Sequence, residues 1–266
     1  MCLPPAPDGD KATSRAASLT ASPPAAVRQG VETGPDTGLA VLDLTRVLIA
    51  GFPTVVPGVE LSASFLETDY HDHGFRGQRW SFYEHTGTHV DAPVHFVPGQ
   101  IDVTQIAAED LARPLVIIDI SERCRADADT LLDQDDLERH EARNGRIPAR
   151  AALVLRTGWD RIDSRDPVYL NLIDGAFHTP GFSAGAVSWL LEHRDVACLG
   201  TDTSSIDAGN APDAPAHRLL LGAGRYAVEG LTNLHLVPSG STLIAAVVPW
   251  ENGTGGPCRA LAMYRR

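Results

Sequence analysis

The sequence has little of what builds disulfide-rich, secreted or membrane-spanning proteins. Its four cysteines lie far apart and form no CxxC pair, which argues against a zinc ribbon, a redox motif and a disulfide-dense scaffold. No apolar run approaches the roughly 20 residues needed to cross a bilayer. The N-terminus also lacks the apolar segment of a signal peptide. We therefore expect a cytoplasmic protein.

Positive charge is also scarce. Thirty-four acidic side chains against twenty-two basic ones give a formal net charge of -12 at pH 7, and no cluster of Lys and Arg stands out. A phosphate backbone or an anionic membrane would be repelled by such a chain. We expect no nucleic acid and no membrane as partners, and a small-molecule substrate instead.

The 266 residues, 43% of them hydrophobic, suffice for a buried core. Residues 1–38 are rich in Pro, Ala, Ser and Gly and predict a disordered leader. From residue 39 to residue 266, apolar runs alternate with helical patterns, which predicts a single α/β domain. The predicted strands are AVLDLTRVL, LVIIDI, ALVLR, VACLG, YAVEG and TLIAAVV, several of them apolar on both faces.

Three helices are predicted between these strands. The first begins at Thr104 as its N-cap, in TQIAAEDLA. The second, DQDDLERHEARNG, ends on Gly145 as its C-cap. The third, SAGAVSWLLEH, follows Ser183 as its N-cap and should bury one apolar face.

The segment EHTGTHVDAPVHF, residues 84–96, concentrates three of the chain's ten histidines. Its β-branched residues favour an extended chain, and side chains alternate between the two faces of a strand. His85, Gly87, His89 and Asp91 would then point the same way, with the glycine leaving space for an ion. The pattern predicts that two imidazoles and a carboxylate converge.

Such a set is costly to bury without a cation, because desolvated polar groups need partners. Two histidines and one carboxylate with open coordination positions suit a catalytic Zn²⁺, Mn²⁺ or Fe²⁺ ion, whereas a structural site closes its coordination with protein ligands. The segment therefore predicts a divalent-metal site. We expect Zn or Mn, with one or two ions per subunit.

Several segments together carry a family resemblance. HTGTHVDAPVH fits the pattern HxGTHxDxPxH at every fixed position. LRTGWD, GFSAGAVSWLLE, GTDTSSID, VEGLTNL and GTGGPCRALAM agree as well. From about residue 40 to the C-terminus, the chain thus resembles the cyclase family of metal-dependent hydrolases, which includes bacterial kynurenine formamidase and isatin hydrolase.

The resemblance implies a fold, an activity and an assembly. The fold would be α/β, a swivelling β/β/α domain with a mixed sheet and flanking helices. The activity would be that of a metal-dependent amidohydrolase, which cleaves an arylformamide or a cyclic amide at its C–N bond. A homodimer or homotetramer would be expected.

Carried onto this chain, the resemblance makes His85, His89 and Asp91 ligands of one metal ion. Asp91 could bridge to a second ion that His217 and Glu229 also hold. The sequence itself supports these last two residues weakly. His217 opens the helical run HRLLLG, and Glu229 ends the apolar run YAVEG, where an unpaired carboxylate would be costly.

His95 lies next to the ligands in sequence but outside their pattern. We predict that it is the general acid/base that protonates the leaving nitrogen. The alternative is that it orients a metal ligand.

An aromatic substrate would also need an aromatic face. Kynurenine formamidases resemble one another in a PxWPG-like segment whose tryptophan stacks on the substrate, and here PTVVPG has Val56 in that place. This difference argues against N-formylkynurenine. Trp80 and Phe96 are the candidates for substrate contact, although each could equally fill a core.

Three alternatives remain open. GFSAG, residues 181–185, fits the nucleophile elbow of serine hydrolases, with Asp202 and His217 following in the right order. The context disfavours this reading, because Ser183 does not follow a buried strand. The same metal site could instead serve a lactone or ester hydrolase, and the scaffold could be a non-catalytic small-molecule binding protein.

Overall fold

The structure, a computed structural model, describes residues 38–56, 58–59 and 62–266. The leader predicted for residues 1–38 lies outside the described residues, apart from Gly38. The strands of the described residues are β1 Leu39–Asp43, β2 Ala63–Thr68, β3 Gly77–Ser81, β4 His89–Asp91, β5 Ala112–Asp119, β6 Leu131–Leu132, β7 Ala152–Arg156, β8 Leu172–Ile173, β9 Ala176–Phe177, β10 Gly181–Phe182, β11 Cys198–Thr201, β12 Tyr226–Glu229, β13 Thr242–Val247 and β14 Gly255–Arg265.

The α-helices of the same residues are α1 Tyr70–His73, α2 Ser121–Ala126, α3 Gln134–Asn144, α4 Ala184–His193 and α5 Pro215–Gly222. Short 3₁₀ helices span Pro93–His95, Val103–Gln105, Trp159–Arg161, Pro167–Tyr169 and Leu234–Leu236. None of the described helices combines the length and the apolar character that a membrane crossing requires.

A mixed β-barrel forms the centre of the fold. Its strands follow the order β14, β13, β5, β7, β11, β12 and β4, and β4 pairs again with β14 to close the ring. The pairs within β5, β7, β11 and β12 are parallel, and the remaining pairs of the ring are antiparallel. β1 adds to β14 from outside the ring. The mixed sheet with flanking helices confirms the predicted fold class.

Strand β7 shows why the parallel strands are apolar on both faces. Leu153 and Leu155 pack with residues of α3, α4 and α5 in one buried cluster. Ala152 and Val154 belong to a second cluster, which is built from the barrel strands themselves. Because side chains alternate along a strand, a parallel strand covered by helices on one side and by the barrel core on the other must be apolar throughout.

Two of the three predicted helices are confirmed. Asp133 caps α3 by accepting a hydrogen bond from the backbone N–H of Asp136, and Gly145 follows its last residue. Ser183 caps α4 in the same way, through the N–H of Ala186. Both caps satisfy N–H groups that the first turn leaves without partners.

The helix predicted from Thr104 is wrong. The structure has only the 3₁₀ helix Val103–Gln105 there, capped by Asp102. The next residues turn and enter β5, since the N–H of Ala245 on β13 already bonds to the carbonyl of Leu111. Pairing with the sheet therefore outweighs the local helical preference of this segment.

The packing of β7 predicts a large loss of stability when its buried leucine is shortened. Leu153→Ala should lower the free energy of unfolding by about 2–5 kcal/mol, because the surrounding core cannot fill the space that is left. Urea denaturation followed by circular dichroism measures this. Leu172→Ala on strand β8 is the control, since its side chain is 56% exposed, and its effect should stay within about 0.5 kcal/mol. Equal effects of the two substitutions would contradict the assigned core.

Candidate metal centre

Strand β4 places two metal-binding residue types on one face. It lies between β12 and β14 and pairs antiparallel with both. Val90 is fully buried in the barrel core, so His89 and Asp91 point to the opposite face. Glu229, the last residue of β12, lies directly opposite His89 in the register. Directly opposed residues share a face of the sheet, and the pairing therefore brings this carboxylate beside the histidine.

The segment before β4 is not the extended strand that the sequence predicts. β4 begins only at His89, and Gly87 has a φ of 72°, a left-handed conformation that favours glycine. A Cβ atom at Gly87 would point toward Leu48 and Phe52. The glycine thus serves the bend of the chain and not the space above an ion. His85 nevertheless reaches the cluster, because the bend brings its ring back toward Asp91.

Helix α5 supplies the fifth residue of the cluster. His217 is the third residue of this helix, and its Nε2 atom lies 3.1 Å from Asp91 Oδ2 and 3.0 Å from Glu229 Oε1. Both N-terminal amides, those of Ala216 and His217, donate to the carboxylate of Asp207. This cap fixes the start of the helix and with it the position of the histidine.

The remaining distances join all five predicted ligands. His85 Nδ1 lies 2.5 Å and His89 Nε2 lies 3.2 Å from Asp91 Oδ1, and His89 Nε2 lies 3.4 Å from Glu229 Oε2. The residues form two donor groups, each with its ligand atoms within 4.8 Å of one another, and Asp91 belongs to both. The groups are His85, His89 and Asp91, and Asp91, His217 and Glu229.

The cluster is deeply buried and favours positive charge. Its side chains are only 2–6% exposed. Burial by itself would lower the pKa of His89, but the carboxylates of Asp91 and Glu229 outweigh it and raise that pKa to about 9. Burial likewise would raise the pKa of Asp91, yet the neighbouring His85 and His89 rings hold it well below its usual range. The carboxylates thus attract a cation to this point.

The orientation of the rings tests whether these residues fit a metal ion. His89 Nδ1 lies 3.0 Å from the carbonyl of Gly87, and His217 Nδ1 lies 2.6 Å from Asp207 Oδ2. Each Nδ1–H therefore has a fixed acceptor, and each Nε2 faces the carboxylates. Imidazole nitrogens braced from behind, together with carboxylate oxygens, are donors that suit a divalent transition-metal ion. The donor set fits.

His95 lies beside the cluster and outside both donor groups. It ends the 3₁₀ helix that begins at Pro93, and its ring stacks on His85 with centroids 3.7 Å apart. Burial, helped by the neighbouring imidazoles, outweighs the opposing effect of Asp91 and lowers the pKa of His95 to about 4. The ring is neutral at pH 7, the form that can accept a proton.

The two predicted substrate-binding aromatics differ in placement. Phe96 stacks on His217 and meets His95 edge-on, each at 4.7 Å between centroids. Trp80 belongs to the β2–β3 hairpin, and within the described part of the chain no ring contact joins it to the histidines. Tyr83, which the sequence analysis did not assign, lies 5.3 Å from the ring of His85.

Three further residues were missed as supports of the ligands. Asp207 holds His217, and Thr254 and Glu84 lie behind His85. Asp207 stands inside the segment GTDTSSID, so the similarity of that segment was a usable signal. Thr254 and Glu84 are 170 residues apart in sequence, and no local pattern connects them.

The serine-hydrolase alternative is wrong. The hydroxyl of Ser183 accepts a hydrogen bond from the backbone of α4, as its N-cap. Asp202 is fully buried and accepts hydrogen bonds from Thr157, Gly158 and Asp160, so it holds that loop. The ring of His217 instead bonds to Asp207 through Nδ1 and to Asp91 through Nε2.

Comparisons with known proteins show the family to which this chain belongs. The Cyclase family model, described as "Putative cyclase", matches residues 42–208. An isatin hydrolase from Roseibium aggregatum is 37% identical over 194 residues, which cover 68% of this chain and 72% of that protein. A kynurenine formamidase from Salinibacter ruber is 25% identical over 177 residues, 66% of this chain and 74% of that protein. The solved structure of isatin hydrolase A from Ralstonia solanacearum has a TM-score of 0.82 and 36% identity, covering 86% of this chain and 93% of that one. The chain therefore belongs to the cyclase family and is a metal-dependent hydrolase.

Proposed function

We propose that this enzyme hydrolyses the C–N bond of a cyclic amide fused to an aromatic ring, as in isatin. One observation carries the proposal: five buried residues form two donor groups that share Asp91, and the ring of His95 stacks on His85 beside them. The identity to isatin hydrolases, 37% and 36%, exceeds the 25% found with the kynurenine formamidase, which supports the cyclic substrate.

His85, His89, Asp91, His217 and Glu229 would hold the metal. When bound, a divalent ion lowers the pKa of a coordinated water toward about 7 and polarises the carbonyl under attack. We propose Zn or Mn as the ion, because imidazole and carboxylate donors suit both. One or two ions per subunit are compatible with a carboxylate that belongs to both donor groups.

His95 carries the proton in this proposal. Hydrolysis of an amide requires that the attacking water lose a proton and that the leaving nitrogen gain one. The His95 imidazole accepts the first proton and donates it to the nitrogen, so that the ring returns to its starting form. Its stacking on His85 holds the ring next to the donors without making it one of them.

Phe96 and Tyr83 are the proposed contacts for the aromatic part of the substrate. Their rings flank the histidines, at 4.7 Å from His217 and 5.3 Å from His85 respectively. Planar aromatic groups favour offset or edge-on contact with such rings. Trp80, the other candidate, lies on the β2–β3 hairpin and is the weaker assignment.

An arylformamide is the second candidate substrate, because it presents the same carbonyl and the same leaving nitrogen. Val56 stands at the position where the kynurenine formamidases share a tryptophan that stacks on the substrate. This difference removes a surface on which the substrate could stack, and we therefore place the arylformamide after the cyclic amide. A lactone or ester would need no protonated nitrogen and makes less use of His95.

The remaining proposals come from the sequence. The four widely spaced cysteines, which form no CxxC pair, support a cytoplasmic location. The family resemblance supports a homodimer or homotetramer. The negative charge supports a small-molecule substrate and neither nucleic acid nor membrane as partner.

Removal of the metal should abolish activity. After exhaustive dialysis against a chelator, the rate of isatin hydrolysis should fall to background, and added Zn²⁺ or Mn²⁺ should restore it. Ultraviolet absorbance follows the loss of isatin, with N-formylkynurenine and a simple lactone tested in parallel. A serine-reactive fluorophosphonate is the control and should leave the rate unchanged. Persistent activity in a sample shown to be metal-free would refute the mechanism.

His95→Ala should separate proton transfer from metal binding. We expect kcat to fall about 100- to 10,000-fold, the usual contribution of a general acid/base, while metal content stays at the parent value. Steady-state kinetics and elemental analysis measure the two quantities. His193→Ala, an exposed histidine at the end of α4, should keep the parent rate. Full turnover by His95→Ala with unchanged metal would show that His95 is not the acid/base.

Asp91→Ala should lose bound metal, since its carboxylate belongs to both donor groups. Elemental analysis after gel filtration should find well under one ion per chain. Asp163→Ala, which removes an exposed carboxylate beside Arg165, should retain the parent stoichiometry. Stoichiometric metal in Asp91→Ala would rule out the shared-ligand assignment.

A further inference from the structure

His85 faces the cluster differently from the other two imidazoles. His89 and His217 direct Nε2 toward the carboxylates, and their Nδ1 atoms bond to acceptors behind them. His85 is reversed: its Nδ1 lies 2.5 Å from Asp91 Oδ1, and its Nε2 lies 2.8 Å from Thr254 Oγ1. The ring therefore needs the opposite tautomer to bind a metal ion.

A hydroxyl and a carboxylate behind His85 set that tautomer. The Thr254 hydroxyl donates to Glu84 Oε1 at 2.5 Å, and the Thr254 backbone N–H donates to Glu84 Oε2 at 3.1 Å. A hydroxyl has one proton to donate. Because Glu84 takes that proton, Thr254 Oγ1 faces His85 with a lone pair, and His85 must donate from Nε2–H. Its Nδ1 is then left with a lone pair.

Packing keeps the ring in this orientation. A Cβ atom at Gly255 would lie 2.5 Å from His85 Cε1 and 2.9 Å from His85 Nδ1, so the ring rests directly against this glycine. The carbonyl of Thr254 accepts a hydrogen bond from the N–H of Ala92, just after β4. Thr254 and Gly255 therefore contact the His85 ring, bind its Nε2 atom and are anchored to the end of β4, the strand that carries His89 and Asp91.

We propose that Glu84 and Thr254 are positioning residues that fix His85 in its Nε2-protonated tautomer, so that His85 binds the metal ion through Nδ1. The inference rests on the proposed function, which makes His85 a ligand. Groups behind a ligating histidine orient its ring and strengthen its basicity, and their loss typically weakens metal binding about 10- to 100-fold. Here the anionic Glu84 acts through an intervening hydroxyl.

Nitrogen-15 NMR of the histidine side chains tests the tautomer directly. The full chain is labelled at histidine nitrogen and loaded with Zn²⁺, and the His85 signals are assigned by their loss in His85→Gln. We expect the proton of His85 on Nε2 and those of His89 and His217 on Nδ1. A proton on His85 Nδ1 in zinc-loaded protein would overturn this inference alone. Failure to bind zinc at all would overturn the proposed function as well.

Zinc affinity tests whether the Thr254 hydroxyl and the Glu84 carboxylate support His85 as a ligand; we call this pair the relay. In competition with a chromophoric chelator, Thr254→Val should bind Zn²⁺ about 10- to 100-fold more weakly, and Thr254→Ser, which keeps the hydroxyl, should stay near the parent value. Glu84→Gln should fall between them, because its amide oxygen still accepts the hydroxyl proton but carries no charge.

Thr130→Val is the matched control for this series. It removes a threonine hydroxyl that donates to the Asp127 carbonyl in a turn before β6, and zinc affinity should not change. Parent-like affinity in folded Thr254→Val would contradict the relay. If circular dichroism shows that Thr254→Val does not fold, the His85 tautomer measured by NMR in the unaltered chain decides whether the proposal stands.

Discussion

The buried carboxylate of Asp91 is the group around which this site is organised. It lies within hydrogen-bond distance of three imidazoles, and almost none of its side chain reaches solvent. A lone carboxylate in such surroundings would be costly, and the low local dielectric that makes it costly also strengthens its attraction for positive charge. The imidazole rings, the residues that hold them and the strand pairing together place donors around the two carboxylate oxygens of Asp91. Such donors suit a divalent cation, and the cation would activate water for hydrolysis.

The barrel makes this gathering possible from distant parts of the chain. β4 has only three residues, yet it pairs with β12 on one side and with β14 on the other. The first pairing brings Glu229 beside His89, and the second brings Gly255 and Thr254 to the ring of His85. α5 then covers the face with His217. Gly255, directly opposite Asp91 in the register, leaves room for the ring of His85.

The local part of the site could be predicted from sequence, and the rest depended on contacts that sequence spacing does not show. His85, His89 and Asp91 stand within seven residues, although the extended geometry assumed for them was wrong because Gly87 bends the chain. His217 and Glu229 had weak signals of their own and needed the family resemblance. The parallel strands were recognisable because both faces are apolar, whereas the helix expected at Thr104 yielded to sheet pairing. Glu84 and Thr254 stand in two of the segments singled out in the sequence, but no pattern paired them with His85, since their geometry exists only once the barrel closes.

The strand that closes the barrel is also the strand that carries His89 and Asp91. Metal binding and the pairing of β4 with β12 and β14 are therefore thermodynamically linked. An ion that binds only the folded chain adds its binding free energy to the free energy of unfolding. At a free concentration 1,000 times the dissociation constant, that contribution is about 4 kcal/mol. Cellular supply of the ion would thus set the folded fraction of the enzyme as well as its turnover.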